Sequence, residues 1–344
     1  MNLRDLFYHY TLLLIKCRSK RQGLDLFKKT SNNSLYKLIK GDSMKKIATT
    51  IGVIAIIGAG AFYFANNQVE EKIQAALDAK NTSKSPDAPS LTGQVSTNIL
   101  TGTLKIKDMT VTSEGSSQKG DLEVDGLKFY SKENIFSNNV KVSFNNYEVK
   151  DNDTDVTIDN EIKFVNHGGG KLAISSRSDF KEKITGNTMT QKFLVDLTDT
   201  KEFYTVFTTK LTDIILNKTY DQNDTLKALS ELTDSKMQKF VVHIDNNKLL
   251  QQGIQRSIKA QYPEATDAEV KAFIQQQSQQ HITTNLPTEV QEPMLNLMNS
   301  EKAKLDIEIT NISGKTLSDA YQTFLLSPDS VEALKKDYNI KASN

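Results

Sequence analysis

The sequence predicts an α+β fold, an antiparallel β-meander packed with helices and preceded by one transmembrane helix. Three observations predict it. A charge-free apolar run stands near the start, strict alternation of apolar and polar residues fills the middle, and from Thr198 the apolar period lengthens to that of helices.

The apolar run is Ile47–Ala65, 19 residues without a charge. As a helix it is about 28 Å long, close to the roughly 30 Å of a bilayer core. Lys45 and Lys46 precede it, and Glu70 and Glu71 are the first charges beyond it. The lysine excess keeps the short amino end in the cytoplasm and places the remainder outside. Residues 44–66 therefore read as a membrane anchor. Ala59 and Ala61 form an A-x-A-like pair, so cleavage after Ala61 is the alternative. The run continues through Phe62, Tyr63 and Phe64 to spanning length, which favours retention. Residues 1–43 are short, basic and without paired apolar elements able to bury a core. Lys40-Gly41-Asp42 can be encoded as a purine-rich ribosome-binding sequence just upstream of Met44, so the expected start is Met44. The alternative is a short cytoplasmic tail.

Charge supports this division. Residues 1–46 hold 11 Lys and Arg against 3 Asp, a net of +8, which leaves −7 for the rest of a chain whose total is +1. An acidic exported part argues against nucleic-acid binding, which needs a clustered basic face. The single cysteine, Cys17, lies before Met44, so no disulfide, thiolate chemistry or lipidated cysteine is expected beyond it.

Residues 67–90 read as stalk and linker. Val69, Ile73, Ala76 and Leu77 continue a helical spacing, and Pro86 and Pro89 then favour extended backbone. Residues 91–197 read as a β-rich meander. Its clearest feature is an echo at a spacing of 18 residues, "GTLKIKDMTV" from Gly102 and "GDLEVDGLKF" from Gly120. Leu104, Ile106, Met109 and Val111 correspond to Leu122, Val124, Leu127 and Phe129. Each copy alternates, slips by one at Asp108 or Gly126 and resumes, as a bulged strand does to keep one face apolar. Leu104 and Leu122 should therefore share a face. Alternation recurs around Val142, around Ile162 and around Val195, and the resulting sheet has one apolar face that something must cover.

Residues 198–344 read as a helical part with additional strands completing the same domain. Phe203, Val206, Phe207, Leu211, Ile214 and Ile215 fall on one helical face. "DTLKALSEL" suggests a second short helix and "KFVVHI" a strand. Leu250, Ile254 and Ile258 define the next helix. Thr266 with Glu269 forms a capping-box pattern for another, which carries Val270, Phe273 and Ile274. Leu305, Ile307 and Ile309 alternate as a late strand, and a helix opened by Ser327-Pro328 is expected to close the chain.

Chemical motifs are sparse. Asp151, Asp153 and Asp155 alternate as in a calcium loop, but Val156 stands where a glycine is needed and Ile162 where a bidentate glutamate is needed, so an acidic hairpin turn is expected. His167, His243 and His281 lie far apart without metal spacing. "HGGGK", His167–Lys171, lacks the phosphate-loop spacing and reads as a turn. The glutamine-rich Gln275–Gln280 reads as the wet face of a helix. No catalytic, cofactor or metal residues are assigned, and no cofactor is expected.

The opening "MKKIATTIGVIAIIGAGAFYFANNQVEEKI" resembles the start of the YdgA-like bacterial envelope proteins, a family of unknown function. "ILTGTLKIKDMTV" is similar to strand openings of that family and of the broader AsmA-like group. "ITNISGKTLSD", Ile309–Asp319, resembles the strand-to-helix closure near the YdgA-like carboxyl end. The resemblance implies a bacterial inner-membrane protein with a periplasmic carboxyl domain and supplies no catalytic residues. The expected function is non-enzymatic binding of a lipid or an envelope partner. Its apolar-ligand face would lie between Leu104, Ile106, Leu122, Val124, Leu127 and Phe129 on the sheet and Phe203, Phe207 and Leu211 on a helix. The alternatives are an ordinary closed core in a structural interaction protein and a membrane-tethered envelope hydrolase.

Overall fold

The computed structural model describes residues 74, 90–113, 116–129, 131, 133–151, 154–215, 231–299, 303–326 and 330–344. The expected anchor, Ile47–Ala65, and most of the stalk lie outside them. Among the described residues no helix is long and apolar enough to cross a membrane.

Among the described residues ten strands form one antiparallel sheet in which every strand pairs with its neighbours in sequence. They are β1 (Ser90–Asn98), β2 (Thr103–Ser113), β3 (Ser116–Leu127), β4 (Phe136–Asp151), β5 (Thr154–Gly168), β6 (Lys171–Glu182), β7 (Thr188–Thr198), β8 (Lys236–Asn247), β9 (Lys304–Asn311) and β10 (Tyr338–Ser343). Helix α1 (Phe203–Ile215) leaves the sheet between β7 and β8. Helices α2 (Leu249–Gln261), α3 (Asp267–Asn285) and α4 (Thr288–Met298) lie between β8 and β9. Helices α5 (Leu317–Leu326) and α6 (Ser330–Lys335) lie between β9 and β10. Because the strands alternate in direction, α1 and α5–α6 start from one end of the sheet and α2–α4 from the other.

Alternation sorts the two faces. On the outer face, charges of opposite sign meet across strands, as Lys105–Glu123 at 3.1 Å, Lys141–Asp125 at 2.7 Å and Lys239–Glu308 at 2.7 Å. On the inner face the same strands present Leu104, Ile106, Leu122 and Val124. The predicted slips are present, with register shifts between Ile106 and Met109 and between Asp125 and Leu127. Asp108 takes φ 51° and Gly126 φ 88° there. A Cβ on Gly126 would lie 2.0 Å from the Asn139 carbonyl oxygen, so both backbone and space demand glycine. The Asp108 N–H donates to Asp121 Oδ1 at 2.9 Å. A third bulge, at Asn146 with φ 55°, repeats the device: its N–H donates to Asp159 Oδ1 at 2.7 Å, and its side-chain amide donates to Asp121 Oδ2 at 3.1 Å. The bulges at Asp108 and Asn146 thus satisfy the N–H they free from the ladder.

Other turns follow their residues. Asp151 pairs with Thr154 in the acidic hairpin, and Gly168, Gly169 and Gly170 all take positive φ in the β5–β6 turn. The capping box forms at α3: the Glu269 N–H donates to Thr266 Oγ1 at 3.3 Å, and the Thr266 N–H donates to Glu269 Oε2 at 2.8 Å. The carboxyl end differs from expectation. Ser327-Pro328 lies outside the described residues, α6 is only 6 residues long, and the chain then returns to the sheet as β10. Three strands therefore follow α1, where two are legible in the sequence. "YNIKAS" carries only three inward positions and gains its strand form by pairing with β9.

Candidate functional site

The register places Leu104 opposite Val124 and Ile106 opposite Leu122, so these four side chains share the inner face. Leu104 is 2% exposed and Ile106 fully buried, with Leu122 and Val124 each at 1%. Phe129 is buried beyond the end of β3 and Leu127 is half-buried. Phe203 is buried against Leu172, Ile174, Val195 and Leu197 of β6 and β7, with Phe164, Phe207 and Phe240 packed at the margin. Phe203 and Phe207 stack with ring centroids 5.6 Å apart. The Leu211 side chain lies outside the described residues. Phe203 thus packs on β6–β8, and Leu104, Ile106, Leu122, Val124 and Phe129 are buried on the same face of the sheet.

Along the inner face runs a cross-strand row, with α4 packed on β9 and β10 at its far end. From β2 onward it reads Leu104, Val124, Val142, Ile162, Ser176, Phe193, Val242, Ile307 and Ala342, each opposite the next. Its first two members are buried; every member from Val142 onward is half-buried. Phe193 leans on Phe240, with ring centroids 6.5 Å apart and planes 16° from parallel. The neighbouring row holds a polar island, Asn160–Ser178–Gln191 across β5, β6 and β7. Asn160 Nδ2 donates to Ser178 Oγ at 3.0 Å, while Asn160 Oδ1 is buried without a hydrogen-bond partner. An unsatisfied buried acceptor costs about 1–3 kcal/mol.

Two sets of polar contacts fix the helical ends. On one side the Tyr204 hydroxyl donates to the Ser137 carbonyl at 2.6 Å, and burial pushes its pKa up to about 12. Asn134 Nδ2 donates to Thr208 Oγ1 at 2.7 Å and the Ile135 N–H to Thr212 Oγ1 at 3.1 Å, so one threonine face of α1 holds the β3–β4 connection. On the other side Arg256 of α2 pairs with Glu182 at the end of β6, a carboxylate with no solvent exposure. Burial pushes Glu182 up, but bonds from Thr185 and Arg256 outweigh it and hold the carboxyl below the usual glutamate range. Asn246 Nδ2 donates to Gln251 Oε1 at 2.6 Å, and Gln251 Nε2 donates to the Leu297 carbonyl at 2.5 Å, joining β8, α2 and α4.

The remaining motifs resolve into structure. Gln275 and Gln279 lie on the exposed side of α3 and line a hollow of about 490 Å³ with Gln291 and Asn296 of α4. His167 is exposed, and the His281 side chain and Asp153 lie outside the described residues. His243 Nδ1 lies 2.6 Å from Asp306 Oδ1. That carboxylate comes from the facing strand 63 residues later, so spacing along the sequence could not find it. The Asn160 island was equally hidden: asparagine, serine and glutamine at inward positions look like ordinary alternation until register brings them side by side.

No protein-family model matches the chain, and no curated protein matches it in sequence.

Proposed function

We propose that this is a non-enzymatic, single-pass protein of the bacterial inner membrane, YdgA-like in organisation, whose periplasmic sheet binds a lipid acyl chain along the half-buried row. The observation that carries the reading is the continuity of that row from Val142 to Ile307 on six adjacent strands. At 4.7–4.9 Å per strand the row is about 24 Å long. One acyl chain in a roughly 30 Å bilayer core reaches about half that core, so the row accommodates a chain lying across the strands. Each methylene moved out of water there contributes about 0.8 kcal/mol. Asn160 Oδ1, beside the row, is placed to accept a hydrogen bond from a ligand hydroxyl, which would relieve its unmet bond. Lys45, Lys46 and the apolar run Ile47–Ala65 support the membrane placement.

The experiment is lipid extraction from the full-length protein purified in mild detergent, comparing wild type with Val242→Glu. The expected result is stoichiometric lipid in the wild type, at least tenfold reduced in the variant at unchanged secondary structure. Equal lipid in both would overturn the reading. A carboxyl-terminal reporter active only outside the cytoplasm tests the topology independently, and activity is expected.

A further inference from the structure

Among the described residues the strand order leaves β1 and β10 as the two edges of the sheet. They are guarded differently. On β1 the N–H of Val95 is engaged by Gln74 Oε1 at 3.3 Å, and a register shift between Thr92 and Gln94 interrupts the strand. β10 runs without a register shift over its 6 residues. The Ile312 N–H donates to the Asp337 carbonyl at 2.9 Å. That bond fixes the phase of the ladder. Asn339, Lys341 and Ser343 exchange hydrogen bonds with β9, while Ile340 and Ala342 direct their N–H and C=O groups away from it. Beside this edge, Ile312, Ile340 and Asn339 line a hollow of about 360 Å³ with Glu289 of α4 and Lys335 of α6, which pack against β10, and Ile312 is 62% exposed.

We infer that β10 pairs with β10 of a second copy of this chain, antiparallel and about a two-fold axis through Ile340, making one continuous twenty-strand sheet. The sequence of β10 is self-complementary in this register. Ile340 meets its own mate as a hydrogen-bonded pair, Ala342 lies opposite Tyr338, and Lys341 lies opposite Asn339. A shift of the axis to Lys341 would set two lysines directly opposite, which charge repulsion disfavours. Apolar residues then continue along the inner face from one copy to the next, because Ile340 and Ala342 lie on the side of Ile309 and Ile307. The pairing closes an edge that otherwise invites any extended chain.

The test uses the full chain in detergent with Cys17→Ser, so that introduced cysteines are the only thiols. In the proposed register positions 339 and 341 of opposite copies form a non-hydrogen-bonded pair, the closer type. Asn339→Cys with Lys341→Cys should therefore give a disulfide-linked dimer on mild oxidation. Adding Ala342→Pro should abolish it, because proline removes an outward N–H that β9 does not use, leaving the thermal midpoint within a few degrees. As a gain-of-function check, Asn339→Glu places a carboxylate opposite each Lys341 and should tighten the dimer by roughly 2- to 30-fold. A monomer at all concentrations, or crosslinking that Ala342→Pro leaves intact, would overturn the inference.

Discussion

One cross-strand row of the inner face behaves in two ways. At Leu104 and Val124 it is sealed, and from Val142 to Ala342 it is half-open, although every strand alternates apolar and polar residues. Alternation records which face a side chain takes. What is laid over that face is decided by how the helices dock: Phe203 of α1 settles on Leu172 and Leu197, and Arg256 of α2 is drawn to Glu182 at the sheet's opposite end. The span between those anchors is left with polar residues, Ser176, Ser178 and Asn160, that a sealed core would not hold without full hydrogen bonding.

Mutations should separate the two regimes, and the sealed end should respond most. Leu122→Ala, emptying a site that is 1% exposed, is expected to cost about 2–5 kcal/mol in denaturant unfolding. Stability within 1 kcal/mol of the parent would place that end among the half-open positions. Arg256→Ala should follow at about 1–3 kcal/mol, less than a wholly buried pair because the guanidinium side chain is 38% exposed. The same pair has a pH signature. Glu182 is held below its ordinary value, so its contribution is present above the unfolded-state pKa of about 4.3 and is lost as pH falls through the folded value. The stability gap between wild type and Glu182→Gln should therefore narrow below pH 4; a gap unchanged down to pH 3 would exclude the ion pair as its source.

Smaller effects are expected along the half-open row. Phe193→Ala should cost only about 1–2 kcal/mol, since the residue is only half-buried. A loss of 4 kcal/mol would make the row core. Tyr204→Phe, which removes the 2.6 Å bond to the Ser137 carbonyl without emptying volume, should cost about 1 kcal/mol. No change in unfolding would show that this hydrogen bond contributes nothing to holding α1.

The sequence was legible where interactions are local. The slips at Asp108 and Gly126, the Thr266–Glu269 capping box and the helical face of Phe203 and Val206 all repeat at short, fixed spacings. It was illegible where register or docking decides. Which strands Phe203 covers is such a case, since periodicity gives its helical face while docking sets it on Leu172 and Leu197. β10 is hidden because its 6 residues offer only Tyr338, Ile340 and Ala342 as inward positions, too short an alternation to stand out, and its form depends on β9. Asn160, Ser178 and Gln191 become one feature only after strands β5, β6 and β7 are aligned.

The central claim, that the half-open part of the row holds an acyl chain, is tested most directly by photocrosslinking. The full-length protein would be labelled in membranes with a phospholipid carrying a diazirine in its acyl chain, and the adducts mapped by mass spectrometry. Adducts are expected at Val142, Ile162, Phe193 and Val242, and none at Leu104 or Leu122. Adducts confined to residues 47–65, with the sheet unlabelled, would contradict it.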